Sequence, residues 1–153
     1  MIRRLLAFTA AAALPLSAGA FSPVLPTDNS AIFQGRPADF HMHVDRDFEG
    51  LKTTPWEGGA YGFKRSPERI AGKVVLTKFH EGIDIKPVRR DTAGAPLDDV
   101  RAIESGTVVH ASSDSKDSNY GKYVVIEHAV EGAPVYSVYA HLAEAGTAAG
   151  RRV

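Results

Sequence analysis

The sequence predicts an all-β domain of antiparallel strands. Short runs of β-branched and apolar residues recur at close spacing after residue 70, and the stretches between them are rich in Gly, Pro, Ser and Asp. No convincing amphipathic helix pattern occurs after residue 20. Several short strands without helices between them are typical of an all-β architecture.

Each predicted element follows from its local composition. The predicted strands are residues 40–44, 74–79, 100–110 with a break or bulge at Gly106, 123–128 and 135–140. Residues 54–62, 86–99 and 112–121 are predicted as loops because they are polar or rich in turn-forming residues. Residues 131–134 are predicted as a hairpin-type connection.

The N-terminal end has the features of a secretory signal. Two arginines precede a mostly apolar run at residues 5–17, which is too short to span a membrane, and Ala18-Gly19-Ala20 fits the small-x-small rule for cleavage. Pro15 disfavours the alternative of a buried helix. We therefore expect residues 1–20 to be removed and the protein to be exported, to the periplasm or the cell exterior.

Charge and cysteine content exclude several classes of function. Without residues 1–20 the chain has 16 Lys and Arg against 18 Asp and Glu, a formal net charge of −2. This balance gives no indication of a nucleic-acid or membrane-surface binder, which would need a basic face. The chain has no cysteine, so disulfides, thiolate zinc sites and cysteine nucleophiles are excluded, and a core or a metal must stabilise the fold.

His80 and Asp84 are candidate metal ligands. Zinc binds imidazole nitrogen and carboxylate oxygen, and catalytic zinc sites use three protein ligands and a water. On a flat strand the two residues would be about 13 Å apart, too far to share an ion. A strand ending at His80, followed by a bend at Gly82, would bring Asp84 back towards the imidazole. A surface His and Asp beside a turn is the alternative.

Five ordered segments provide the context for this pair. They are YGFKR at 61–65, FHEGIDI at 79–85, VRA at 100–102 with GTVV at 106–109, NYGKYVVIEH at 119–128, and YSVYAHL at 136–142. In this order and spacing they resemble the lysostaphin/LytM-type zinc metallopeptidases, which are peptidoglycan endopeptidases. We therefore expect residues 1–20 to be a signal peptide, 21–60 a lead-in segment and 61–153 the metallopeptidase domain.

The resemblance implies a fold and a set of site residues. The fold would be the lysostaphin-like antiparallel sheet domain, built on a duplicated hybrid motif, with the substrate groove over the sheet. His80 and Asp84 would be zinc ligands and His141 a catalytic histidine that stabilises an oxyanion or moves a proton. The substrate would be the peptide cross-links of the bacterial cell wall, with no nucleic-acid partner.

One motif of this family has no counterpart in the chain. The family carries an H-x-H near the end of its domain, which supplies the third zinc ligand and a second catalytic histidine, and no histidine follows His141. We therefore expect the domain to be incomplete at its C-terminal end, with its last strands missing. Two other functions stay open: a non-catalytic module that binds the wall or activates other hydrolases, and an inactive truncated fragment.

The remaining histidines and tyrosines have simpler interpretations. His41 and His43 form an H-x-H by letters, but they precede the predicted domain and are expected to share a strand face without binding metal. His110 and His128 are expected to be structural or exposed, and Glu81 to be a surface residue. Sheet packing is the favoured role for the tyrosines at 120 and 139, with a groove lining as the alternative.

Overall fold

A computed structural model describes residues 20–153, and for residues 45–46 and 51–57 it describes the backbone alone. The predicted signal sequence therefore lies outside the described residues except for its last residue. The described chain consists mostly of antiparallel strands, with two one-turn helices at Ala31–Gln34 and Pro37–Phe40. The predicted all-β class is confirmed. No helix in this part of the chain is long and apolar enough to cross a membrane.

The described chain divides into two compact units. The N-terminal unit is Pro23–Ser105, and the C-terminal unit contains Gly106–Val153. The N-terminal unit has two two-stranded sheets, and the C-terminal unit has one three-stranded sheet in the order β5-β6-β7. The strands are β1 His43–Phe48, β2 Leu51–Gly58, β3 Lys64–Ile70, β4 Lys73–Phe79, β5 Thr107–Ser112, β6 Tyr123–Val130 and β7 Ala133–Tyr139.

Three hairpins close over two-residue turns of one kind. In each turn a residue with positive φ precedes a glycine with positive φ, which is the pattern of a type I′ turn and matches the twist of the flanking strands. The pairs are Glu49-Gly50 (φ 52° and 79°), Ala71-Gly72 (49° and 79°) and Glu131-Gly132 (51° and 83°). The predicted hairpin connection at residues 131–134 is confirmed, with the turn at its first two residues.

The first hairpin corrects two predictions. Residues 54–58 belong to β2 and are not loop, while residues 37–40 form a helical turn and β1 begins only at His43. The register between β1 and β2 shifts between Val44 and Arg46, and Pro55 lies in the stretch of β2 opposite that shift. A proline is tolerated there because no regular ladder hydrogen bond is needed. The Gly- and Pro-rich composition that indicated a loop is thus accommodated by an irregular strand.

Only one strand of the second hairpin was predicted from the sequence. β4 matches the predicted strand at 74–79, whereas its partner β3, with the sequence KRSPERI, has no apolar alternation and was not predicted. The pairing brings β3 into the sheet through the tight turn at Ala71-Gly72. Both strands are largely exposed, so side-chain burial contributes little to the hairpin.

The C-terminal sheet has the alternation that its sequence predicts. Along β6 every second residue is buried from Val124 to His128, and Val108 of β5 is fully buried. His128 is only 1% exposed and its Nε2 lies 2.7 Å from Ser137 Oγ on β7. The predicted strand at 100–110 is correct only after Gly106, and the register shift lies between Val108 and His110.

The outer edge of β5 is paired with the last residues of the chain. Val108 N–H donates to Arg151 O at 2.8 Å and Val108 O accepts from Gly150 N–H at 2.8 Å. Gly106 and Val153 exchange two further backbone bonds at 3.0 and 3.1 Å. The first part of β5 is therefore hydrogen-bonded along both of its backbone edges.

Polar side chains organise the loops of the N-terminal unit. Asn29 is 6% exposed, and its Nδ2 donates to Asp39 O at 3.0 Å and to Lys86 O at 2.8 Å, while its Oδ1 accepts from Ala31 N–H at 3.1 Å. In the loop at 86–99, Asp98 accepts from the backbone N–H of Arg89 and pairs with the Arg89 guanidinium at 3.1 Å. Burial raises the pKa of Asp98, but these donors outweigh it and hold the pKa below its ordinary value.

Candidate functional site

His80 extends the β3–β4 ladder by one residue. Its N–H donates to Phe63 O at 2.8 Å, and its carbonyl accepts from Gly62 N–H at 2.8 Å. The side chain is buried, at 6% exposure, and its Nδ1 lies 3.2 Å from Ala60 O. A proton on Nδ1 would be donated to this carbonyl, which leaves the lone pair of Nε2 available to a ligand.

The chain bends at Gly82 and returns Asp84 to the imidazole, as the sequence predicts. Asp84 N–H donates to Gly59 O at 2.9 Å, and Asp84 O accepts from Met42 N–H at 2.8 Å. These two bonds fix the backbone on both sides of the side chain. Asp84 Oδ1 lies 3.4 Å from His80 Nε2.

The pair fits two corners of a zinc site. Ligand atoms about 2.0–2.1 Å from a tetrahedral ion are about 3.3–3.4 Å apart, which matches the observed separation of 3.4 Å. A carbonyl on the second ring nitrogen is the usual partner of a metal-binding histidine. Among the side chains that the structure describes, which leave out residues 45–46 and 51–57, however, no group of three or more His, Asp or Glu is placed to hold a metal. The third ligand is therefore not found in this part of the chain.

The H-x-H of residues 41 and 43 lies in the same unit but does not complete the site. His41 forms an isolated bridge with Ile85, and the ring of His43 packs against Phe63 with centroids 5.9 Å apart. Neither ring joins His80 and Asp84 in a three-ligand group among the described residues. Glu81 is exposed, as expected of a surface residue.

His141 follows β7 in the C-terminal unit and has an unusual backbone conformation. Its φ is +56°, which is uncommon for a residue with a side chain, and its N–H donates to Tyr120 O at 2.8 Å. The side chain is exposed. A Cβ added to Gly121 would lie 3.7 Å from His141 Nδ1, so the imidazole lies against the backbone of Gly121.

Lys122 holds the residues that follow His141, and it is not among the site residues predicted from the sequence. Its carbonyl accepts from Leu142 N–H at 3.0 Å, and its Nζ donates to Ala143 O at 2.7 Å. Together with the Tyr120 carbonyl, these contacts fix residues 141–143 against the loop that precedes β6. A lysine before a strand is too common for its spacing to have revealed this contact.

The other candidate side chains have structural surroundings. Tyr139 is 9% exposed and packs in the sheet, whereas Tyr120 is 47% exposed and its ring contacts that of Tyr123, with centroids 5.6 Å apart and the planes tilted by 57°. His110 is exposed, and its ring also contacts that of Tyr123, with centroids 4.9 Å apart and the planes tilted by 31°. The buried His128 bonded to Ser137 confirms the expected structural role.

Comparison with known families identifies the C-terminal half of the chain. Residues 78–153 match the model of peptidase family M23, and this part of the chain belongs to that family. The match includes His80, Asp84 and His141, and it agrees with the resemblance to lysostaphin/LytM-type enzymes. Searches of curated proteins and of solved structures gave no match. Membership supports a peptidase activity related to peptidoglycan.

Proposed function

We propose that this chain is a zinc-dependent endopeptidase that hydrolyses peptide cross-links of bacterial peptidoglycan. The observation that carries the proposal is the pair formed by His80 Nε2 and Asp84 Oδ1 at 3.4 Å, inside a segment of peptidase family M23. Family M23 peptidases are in general zinc-dependent and act on peptidoglycan. The signal-like residues 1–20 support export to the compartment that contains this substrate.

Each candidate residue would have its own role in the reaction. A zinc ion held by His80 and Asp84 would polarise a water and a substrate carbonyl. The Ala60 carbonyl lies against Nδ1 of His80, so that Nε2 is the ring nitrogen that would bind the ion. The exposed imidazole of His141 would hold or move a proton, or donate to a developing oxyanion.

A non-catalytic wall-binding module is the second candidate. It is favoured by the absence of a third metal-binding side chain beside His80 and Asp84 among the side chains that the structure describes. A module without zinc would have no chemical need for this histidine and carboxylate in ligand geometry, so the endopeptidase is the better account.

Zinc binding and peptide release separate the two candidates. We expect one zinc per chain by elemental analysis, and a loss of zinc affinity of more than tenfold in His80→Ala and in Asp84→Ala. Glu81→Ala, an exposed carboxylate on the same turn, is the matched control and should keep the metal. His141→Ala should keep zinc but release no peptides from purified peptidoglycan.

Two results would count against the endopeptidase. Full zinc retention in either ligand variant would reject the ligand assignment. Binding of peptidoglycan by the zinc-loaded chain, without any release of peptides, would favour the wall-binding module.

A further inference from the structure

Two cations face each other across the second hairpin. Arg65 of β3 and Lys78 of β4 are direct cross-strand partners in the register of the sheet. The Cβ atoms of such partners are about 5 Å apart, and like charges placed directly opposite each other destabilise a sheet. This pairing therefore weakens the hairpin unless an anion lies between the two side chains.

Arg65 differs from the other arginines of the N-terminal unit. Those whose side chains the structure describes are all engaged: four pair with an acidic residue and one donates to a carbonyl. The contacts are Arg36 with Asp39, Arg69 with Glu49, Arg89 with Asp98, Arg101 with Asp28, and Arg90 with Gly94 O. Within the described residues, neither Arg65 nor Lys78 has an ion pair or a side-chain hydrogen bond. Both charged groups are thus available to a ligand.

The pair lies next to the candidate metal site in the same unit. Side chains alternate along an extended strand, so Lys78 projects from the same face as His80, about 7 Å further back along β4. Arg65 is two residues from Phe63, whose carbonyl accepts the His80 N–H. A peptide whose carbonyl reaches His80 and Asp84, and which runs back along β4, would pass the two cations within about two residues.

We propose that Arg65 and Lys78 form a carboxylate-binding subsite that holds an acidic group of the peptide substrate beside His80. The inference depends on the proposed function, because it takes His80 as part of the reaction centre. A guanidinium can bind both oxygens of a carboxylate while the ammonium adds a third donor. A bound carboxylate also removes the repulsion between the two side chains. The subsite would thus favour peptides that carry a free acid near the bond to be cut.

Binding of two synthetic peptides tests the subsite without any turnover. The probes are a peptidoglycan stem tetrapeptide with free carboxyl groups and the same peptide with all carboxyl groups converted to amides. Affinity for the full chain is measured by calorimetry without added zinc. We expect the free acid to bind about 10- to 100-fold more tightly, as charge-assisted hydrogen bonds predict.

Variants of the pair identify the groups responsible. Arg65→Gln and Lys78→Gln should each reduce the preference for the free acid to about twofold or less, whereas Lys78→Arg should keep most of it. Lys73→Gln is the matched control: it removes one exposed cation of the same strand, opposite Ile70, and should leave the preference unchanged.

A charge reversal separates ligand binding from folding. Lys78→Glu should abolish the preference and, because it gives Arg65 a cross-strand partner, should leave the midpoint of thermal unfolding equal or higher. Equal binding of the two peptides, or binding of neither at millimolar concentration, would overturn the subsite. So would a Lys78→Glu protein that folds normally and keeps the preference.

The binding test and the endopeptidase test can fail separately. A preference for the free acid in a protein that binds no zinc and releases no peptides would support the subsite and reject the catalytic function. Hydrolysis of peptidoglycan by a protein that binds both peptides equally would support the catalytic function and reject the subsite.

Discussion

The two units are stabilised in different ways. Among the described side chains, the C-terminal unit buries Val108, Val124, Ile126 and Tyr139 across one three-stranded sheet. The N-terminal unit buries two apolar side chains to that degree among those that the structure describes, and its loops converge on the amide of Asn29. Packing of alternating residues thus maintains the C-terminal unit, whereas directed hydrogen bonds and tight turns maintain the N-terminal one. The difference predicts that the two units respond to different substitutions.

The largest effect is expected where two backbones pack closely in the C-terminal unit. A Cβ at Gly106 would lie 2.5 Å from Glu127 O and 2.8 Å from His128 Nδ1. Because the nearest atom belongs to the backbone of a paired strand, Gly106→Ala should lower the free energy of unfolding by about 2–3 kcal/mol, measured by denaturant titration. Gly146→Ala, with nothing within 4 Å, is the control and should change it by less than about 0.5 kcal/mol. Equal effects of the two substitutions would show that the sheet can shift to accommodate a methyl group at Gly106.

A smaller loss is expected when the polar centre of the N-terminal unit is removed. Asn29→Ala deletes three hydrogen bonds and should cost about 2 kcal/mol, whereas Asn29→Asp keeps the acceptor for Ala31 N–H and should cost less. Hydrogen exchange should accelerate at backbone amides of Pro23–Ser105 more than at those of Gly106–Val153. Uniform acceleration in both units would contradict the distinction between them. The exposed Asn119→Ala is the control.

The smallest effect on stability is expected at the contact beside His141. Lys122→Met removes the donor to Ala143 O and should cost about 1 kcal/mol or less, while Lys122→Arg should preserve the bond. The loss should still displace His141, and if His141 has the proposed role, its misplacement should reduce turnover by up to about 100-fold. The imidazole resonances of His141 and the exchange rate of the Leu142 amide report this displacement without reference to activity. Unchanged resonances in Lys122→Met would show that the Tyr120 carbonyl alone holds the histidine.

Sequence reasoning succeeded where the residue types themselves indicate an element. The strands containing Val124 and Val75 were predicted from apolar or alternating residues, and the bend at Gly82 was predicted from the need to bring Asp84 back to His80. It failed at β3 and at β2, whose polar and Pro-containing sequences pair because a tight turn presents them to a partner strand. Strand pairing through backbone hydrogen bonds requires no particular side chains, so residue types alone do not reveal it.

The candidate site, like the fold, was predicted only in part. The pair of His80 and Asp84 follows from residue types and a glycine bend, and the spacing of 3.4 Å agrees with it. The contact of Lys122 with Ala143 O and the register of Arg65 against Lys78 depend on which residues are opposite each other. That information belongs to the pairing of strands and loops, so it becomes visible only once the chain is folded.

The three two-residue turns also have a consequence for the order of folding. Each joins strands that are neighbours in the chain, and such hairpins form within about 1–10 μs. The bonds from Val24 to Ile103 and from Asn29 to Lys86 connect residues far apart in the sequence, and closing long loops is slower. The β3–β4 hairpin that precedes His80 would then form early, while the anchoring of Asp84 through Met42 would be among the late events of assembly.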